Sequence, residues 1–107
     1  MPPASEPLEQ TAPNASPEAS LREQQALLDQ ARLALGHGQP GRCLDALATH
    51  RSRFPQSLLA EERDALTIKA LAASGNITGA REQAAAFLQR YPRSMLRPSI
   101  EATVGDL

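Results

Sequence analysis

The sequence has no tryptophan, one tyrosine and two phenylalanines in 107 residues. A core with so few rings must be built from leucine and alanine, with its elements packed closely over small side chains. There is one cysteine, Cys43, which excludes an internal disulfide. Lysine is nearly absent: Lys69 stands beside ten arginines. Scarce lysines and the lack of interleaved aromatics argue against a nucleic-acid surface. No apolar run reaches the length of a membrane-crossing helix, and Met1 is not followed by the basic and apolar stretches of a secretory leader.

The net charge of −1 is unevenly spread. Residues 1–19 hold Glu6, Glu9 and Glu18 and no base, together with Pro2, Pro3, Pro7, Pro13 and Pro17. Their few apolar residues show no period, so little surface would be buried to offset the ordering entropy. The segment is expected to be a disordered, partly polyproline-II spacer. A membrane segment upstream of such a spacer would tether residues 20–107 to a bilayer. Those residues carry all the bases and a charge of +2, too mild for a nucleic-acid or membrane-surface protein.

What the chain does have is a period. Ser20, Ser57 and Ser94 stand 37 residues apart. The same shift sets Arg32 on Lys69, Gly38 on Gly75, Cys43 on Ala80, Arg53 on Arg90, Phe54 on Tyr91 and Pro55 on Pro92. A fixed period of this length marks stacked repeats, here residues 20–56 and 57–93 with a cap at 94–107.

Each unit reads as a helical hairpin. Ser20 and Glu23 form a capping box before a helix from about Leu21 to Leu35, with Leu21, Leu27, Leu28, Ala31, Ala34 and Leu35 as its apolar stripe. Gly36-His37-Gly38 ends it, and Pro40 suits the first turn of a second helix to Arg53, with Cys43, Leu44, Leu47 and Ala48 inward. In the second unit Ser57 is the expected cap, with Leu58, Leu59, Ala65, Leu66, Ile68 and Ala72 as the stripe. Ser74-Gly75-Asn76 makes the turn, and Thr78–Arg90 the fourth helix, with Ala80, Ala84, Phe87 and Leu88 inward. Short connections force antiparallel neighbours. Pro98 permits a short helix from Ser99 to about Thr103 that would cover the open flank. The expected fold is all-α: two stacked antiparallel hairpins in a short right-handed solenoid, with a C-terminal capping helix.

Helix–turn–helix units with a glycine turn, a small residue (Cys43, Ala80) and a closing proline twelve residues later (Pro55, Pro92) resemble tetratricopeptide repeats. The ending Ala84-Ala85-Ala86-Phe87-Leu88-Gln89-Arg90-Tyr91-Pro92-Arg93-Ser94 is similar to repeats of bacterial cell-envelope proteins, the Tol–Pal-associated and outer-membrane-assembly lipoprotein types. The period is longer than that family's usual one, and Asp64 and Thr67 stand where its first helix favours large side chains. The resemblance implies a bacterial protein acting on the periplasmic side of the envelope. It also implies that the first helix of each unit lines a concave groove. Gln25, Leu28, Arg32, Glu62, Ala65 and Lys69 would face that groove, with Arg32 and Lys69 at equivalent depths to hold an acidic segment of a partner.

The remaining candidates have plainer readings. Cys43, His37 and His50 match no zinc spacing, and Cys43 aligns with Ala80 as a small core residue. A Cys–His nucleophile would need an orienting group and an oxyanion site, and nothing is placed to supply them. His50 aligns with Phe87, so it should pack partly buried. Arg51, Arg53, Arg90, Arg93 and Arg97 gather near helix ends, where cations complement the helix dipole. A helix-turn-helix DNA reader would need a basic outward helix, and Arg42, Arg51 and Arg53 beside Asp45 offer little. The expectation is therefore a non-enzymatic protein–protein interaction module without metal, cofactor, nucleic acid or direct membrane contact. Its alternative is an oligomerisation or structural domain of a larger membrane-anchored regulator, in which two copies could pair as a homodimer through the apolar ends of the stack.

Overall fold

The computed structural model describes residues 17–107. They form five helices and no strand: α1 (Pro17–Gly36), α2 (Pro40–Arg53), α3 (Ala60–Ala73), α4 (Ile77–Arg90) and α5 (Arg97–Gly105). The helices pair as α1 with α2 and α3 with α4. α3 also packs on α1 and α2, and α5 closes over α3 and α4. The expected spacer falls mostly on residues 1–16, which lie outside the described residues. Its last three residues, 17–19, instead open α1.

Glycine sets both hairpin turns. Gly38 and Gly75 sit at φ 72° and 87°, the left-handed region that side chains avoid. This lets the next residue reach back: Gln39 N donates to Ala34 O at 2.8 Å and Asn76 N to Leu71 O at 2.9 Å. The second helices then start differently. Pro40 occupies the first turn of α2, where no N–H is needed. Asn76 caps α4, its side chain accepting from Gly79 N at 2.9 Å.

The bonds that close the units also recur. Phe54 N donates to His50 O and Tyr91 N to Phe87 O, each at 2.8 Å. Ser57 Oγ donates to Gln24 and Ser94 Oγ to Glu61, and each serine accepts the amide two residues on, from Leu59 and Leu96, at 2.9 Å. Every partner in these bonds is shifted by the sequence period.

Three local expectations are corrected. Ser20 is not a cap: α1 begins at Pro17, and Ser20 accepts a side-chain bond from Gln24 inside the helix. Ser57 does not start α3 either. It holds a turn, Ala60 N to Ser57 O at 3.1 Å, so the helix begins three residues later. Leu58 therefore leaves the stripe and is 95% exposed. The C-terminal helix is longer than Ser99–Thr103 at both ends, and its Ile100 is completely buried.

Two small-residue cores result. Leu28, Ala31, Ala34, Cys43, Leu47 and Ala70 fill the space between α1, α2 and α3. Ala65, Ile68, Ala84, Phe87 and Ile100 fill that between α3, α4 and α5. Cys43 and Ala80 have no exposed surface, so the aligned small residues lie where helices meet. Ala48, expected inward, is exposed.

Candidate functional site

The six expected groove residues divide between surface and core. Gln25, Leu28, Arg32 and Glu62 line one cavity of about 300 Å³ between α1 and α3, with Asp29 and Leu59. Leu28 and Ala65, however, are buried and belong one to each core. Lys69 is half-buried and lies outside the cavity lining. Arg32 is not free: it bonds Asp29 at 2.7 Å and also pairs with Glu62. Two carboxylates thus hold the cation expected to receive an acidic partner. Lys69 has no ion pair among the described residues.

The opposite side of α3 carries a polar centre that the sequence did not announce. Asp64 is buried, yet both its oxygens are filled. Oδ1 accepts from Arg51 Nη2 at 3.0 Å and Arg63 Nε at 3.1 Å. Oδ2 accepts from Arg90 Nη1 at 3.2 Å and Tyr91 Oη at 3.4 Å. A lone carboxylate would not be kept in this position, because burial penalises an unpaired charge heavily. Four donors satisfy about four lone-pair positions. Arg63, itself buried, also reaches the carbonyl of Phe54 at 3.5 Å. The centre thereby ties α2, α3 and α4 together.

Four of the five arginines gathered near the helix ends are correspondingly engaged. Arg51 and Arg90 hold Asp64, Arg53 pairs with Glu23 of α1, and Arg97 pairs with Glu101 at 3.0 Å. Three guanidinium groups share one carboxylate at Asp64, so two positive charges are left over there. Arg51 and Arg90 remain 52% and 61% exposed.

A groove begins at this centre. α2 and α4 both pack on α3, and their backbones stay apart from each other. Between them lie two adjoining cavities. One, about 270 Å³, is lined by Leu44, Leu47, Ala48, Arg51, Thr67 and Gln83. The other, about 190 Å³, is lined by Arg51, Asp64, Gln83, Ala86, Phe87 and Arg90. Arg51 and Gln83 belong to both.

His50 and Cys43 face inward. His50 has no exposed surface and sits against the Phe54 ring, centroids 5.7 Å apart. Neither of its ring nitrogens has a hydrogen-bond partner. Burial holds its pKa below the ordinary histidine value. Nearby Arg63 adds to that effect and Asp64 opposes it. Burial pushes the Cys43 thiol up, which keeps it protonated and inert. Among the described residues no group of three His, Cys, Asp or Glu side chains is placed to hold a metal ion. No described helix is long and apolar enough to cross a membrane.

The signal for Asp64 was present but inverted. An acid interrupting an apolar stripe reads as a fault in helix phase. Beside Arg51 and Arg90 on the neighbouring helices it is a paired charge. Compared with known proteins, the chain matches no family model, no curated protein and no solved structure.

Proposed function

We propose that the chain is a non-enzymatic protein–protein interaction module of the tetratricopeptide type, wound as a short right-handed stack. One observation carries this reading: the turn, closing and serine bonds all recur at the sequence period, so the helices form equivalent units. Stacked equivalent units present continuous faces rather than a reaction centre. The partner-binding face in this reading runs along α1 and α3, with Gln25, Arg32, Glu62 and Lys69 at its surface. Leu28 and Ala65 support it from beneath. The partner is a protein segment. Because Arg32 is held by carboxylates, Lys69 is the cation that would meet an acidic group. The likeness of the Phe87–Ser94 ending to envelope repeats supports a setting on the periplasmic side of a bacterial envelope.

Photo-crosslinking in the source bacterium tests this. A crosslinking residue at Gln25 should give a discrete protein adduct, and the same residue at the exposed Glu101 should not. Equal adducts at both positions, or none at Gln25, would remove the α1–α3 face from the reading. A second reading, pairing of two copies, is favoured by Leu58 and Met95. These occupy equivalent positions and are 95% and 94% exposed. Sedimentation over a range of concentrations separates the two, since a concentration-independent monomer rules out pairing.

A further inference from the structure

We propose that the α2–α4 groove is a second binding site, for a protein segment that presents a carboxylate next to an apolar side chain. Arg51 and Arg90 would receive the carboxylate, and the space beside Leu44, Leu47 and Ala48 would take the apolar group. The site is separate from the α1–α3 face, and its failure would leave that reading untouched.

Charge complementarity selects the occupant. Each of the two arginines gives one hydrogen bond to Asp64, while a guanidinium has five N–H donors in a fixed fork. Arg51 on α2 and Arg90 on α4 both line one cavity, on either side of Asp64. Asp64 fixes both side chains in advance, so less side-chain freedom is lost when an anion arrives. The centre holds three guanidinium groups and one carboxylate, so an added carboxylate brings it nearer to neutrality. Gln83 stands where the basic and apolar cavities join and offers an amide to the segment's backbone.

The same features disfavour a nucleic-acid backbone. The apolar half of the groove offers a phosphate chain nothing. Aromatic stacking platforms are missing too, because Phe87 is buried.

The test uses the full chain, isotope-labelled, with two short capped synthetic peptides. One is built of leucine and glutamate, and the other has glutamine for each glutamate. The first should shift backbone amides of Ala48–Arg51 and Gln83–Arg90 in a saturable way. The glutamine peptide should bind roughly tenfold more weakly, the loss expected for one charge-assisted hydrogen bond. Added salt should weaken the first peptide more than the second. Substituting Arg51 or Arg90 would disturb Asp64, so the blocking variant is Ala48→Glu. It lies in the groove wall, is exposed and gives no hydrogen bond to Asp64. This variant should melt like the parent and lose the binding. The proposal is overturned if neither peptide gives saturable shifts, or if both bind equally. It also falls if the shifts map to Gln25 and Glu62, if Ala48→Glu binds normally, or if a short DNA duplex binds more tightly than the acidic peptide.

Discussion

Replacing His50 by leucine should make the protein more stable and less sensitive to mild acid. The imidazole is completely enclosed, and both of its nitrogens lack partners. An unsatisfied buried polar group costs about 1–3 kcal/mol. Leucine removes that cost at similar volume but gives up the ring contact with Phe54, worth about 0.5–1.5 kcal/mol. The net gain at neutral pH is about 1 kcal/mol. For a domain of this size each 1 kcal/mol raises the melting midpoint by roughly 4–8 °C. The pH effect has a definite sign. In the unfolded chain His50 titrates near about 6.5, and in the folded protein burial moves it lower. Between those two values the unfolded chain binds the extra proton. The parent therefore has its full stability above about pH 6.5 and loses it as the pH falls toward the folded value. Leucine at position 50 abolishes that loss. Urea titrations at pH 7.0 and 5.5, above the main carboxylate range, measure both effects. A variant no more stable than the parent at pH 7, with an equal fall to pH 5.5, would refute the enclosed neutral imidazole.

Other substitutions probe the rest of the structure. Asp64→Asn should lose about 3 kcal/mol in a urea titration, because it leaves Arg63 buried without its counter-ion; a loss under about 1 kcal/mol would deny the centre a structural part. Ala80→Leu should cost about 1–3 kcal/mol by overpacking, whereas Arg81→Leu, on the exposed side of the same helix, should stay within about 0.5 kcal/mol. Equal losses would mean that α4 is rotated. Asn76→Ala should cost about 1 kcal/mol through the lost cap bond to Gly79 N, read as a lower melting midpoint. On the α1–α3 face, Lys69→Glu should leave the midpoint unchanged. Arg32→Glu, which sets a third carboxylate beside Asp29 and Glu62, should lower the midpoint through a loss of up to about 1 kcal/mol. Identical behaviour of the two would contradict the ion pairs of Arg32.

Local punctuation made α2 and α4 readable from the sequence. Pro40 and Asn76 open them, the residues before Pro55 and Pro92 close them, and Gly38 and Gly75 fix the turns. The start of α1 was hidden because proline counts against structure in a composition argument, although Pro17 is well suited to a first turn and Glu18 favours the helix N-terminus. At α3 the serine signal was real but misread. A hydroxyl that accepts an amide two residues on looks the same in sequence whether it caps a helix or closes a turn before it. The groove residues were half legible. The resemblance placed six residues on one groove, and of these Gln25, Arg32 and Glu62 line the α1–α3 cavity. It could not show that Leu28 and Ala65 would be consumed by the cores, since that depends on how the neighbouring helices close. The Asp64 centre needed three helices in place before its donors met. Pairings across 13, 26 and 27 residues have no local signature.

The serine joints set a rule for how this architecture can change in length. The first joins Ser57 to the Gln24 side chain, and the second joins Ser94 to the Glu61 side chain. The acceptor always stands at the fifth position of a unit, counted from its opening serine. Within that pattern a whole copy of residues 57–93 could be inserted in the middle, because it would bring both a serine and an acceptor and leave every joint intact. Growth beyond α5 is another matter. The residue one period after Glu61 is Pro98, which has no side-chain oxygen to offer. A further unit stacked there would have to be fastened by some other means, whereas one inserted inside would find both halves of its joint already supplied.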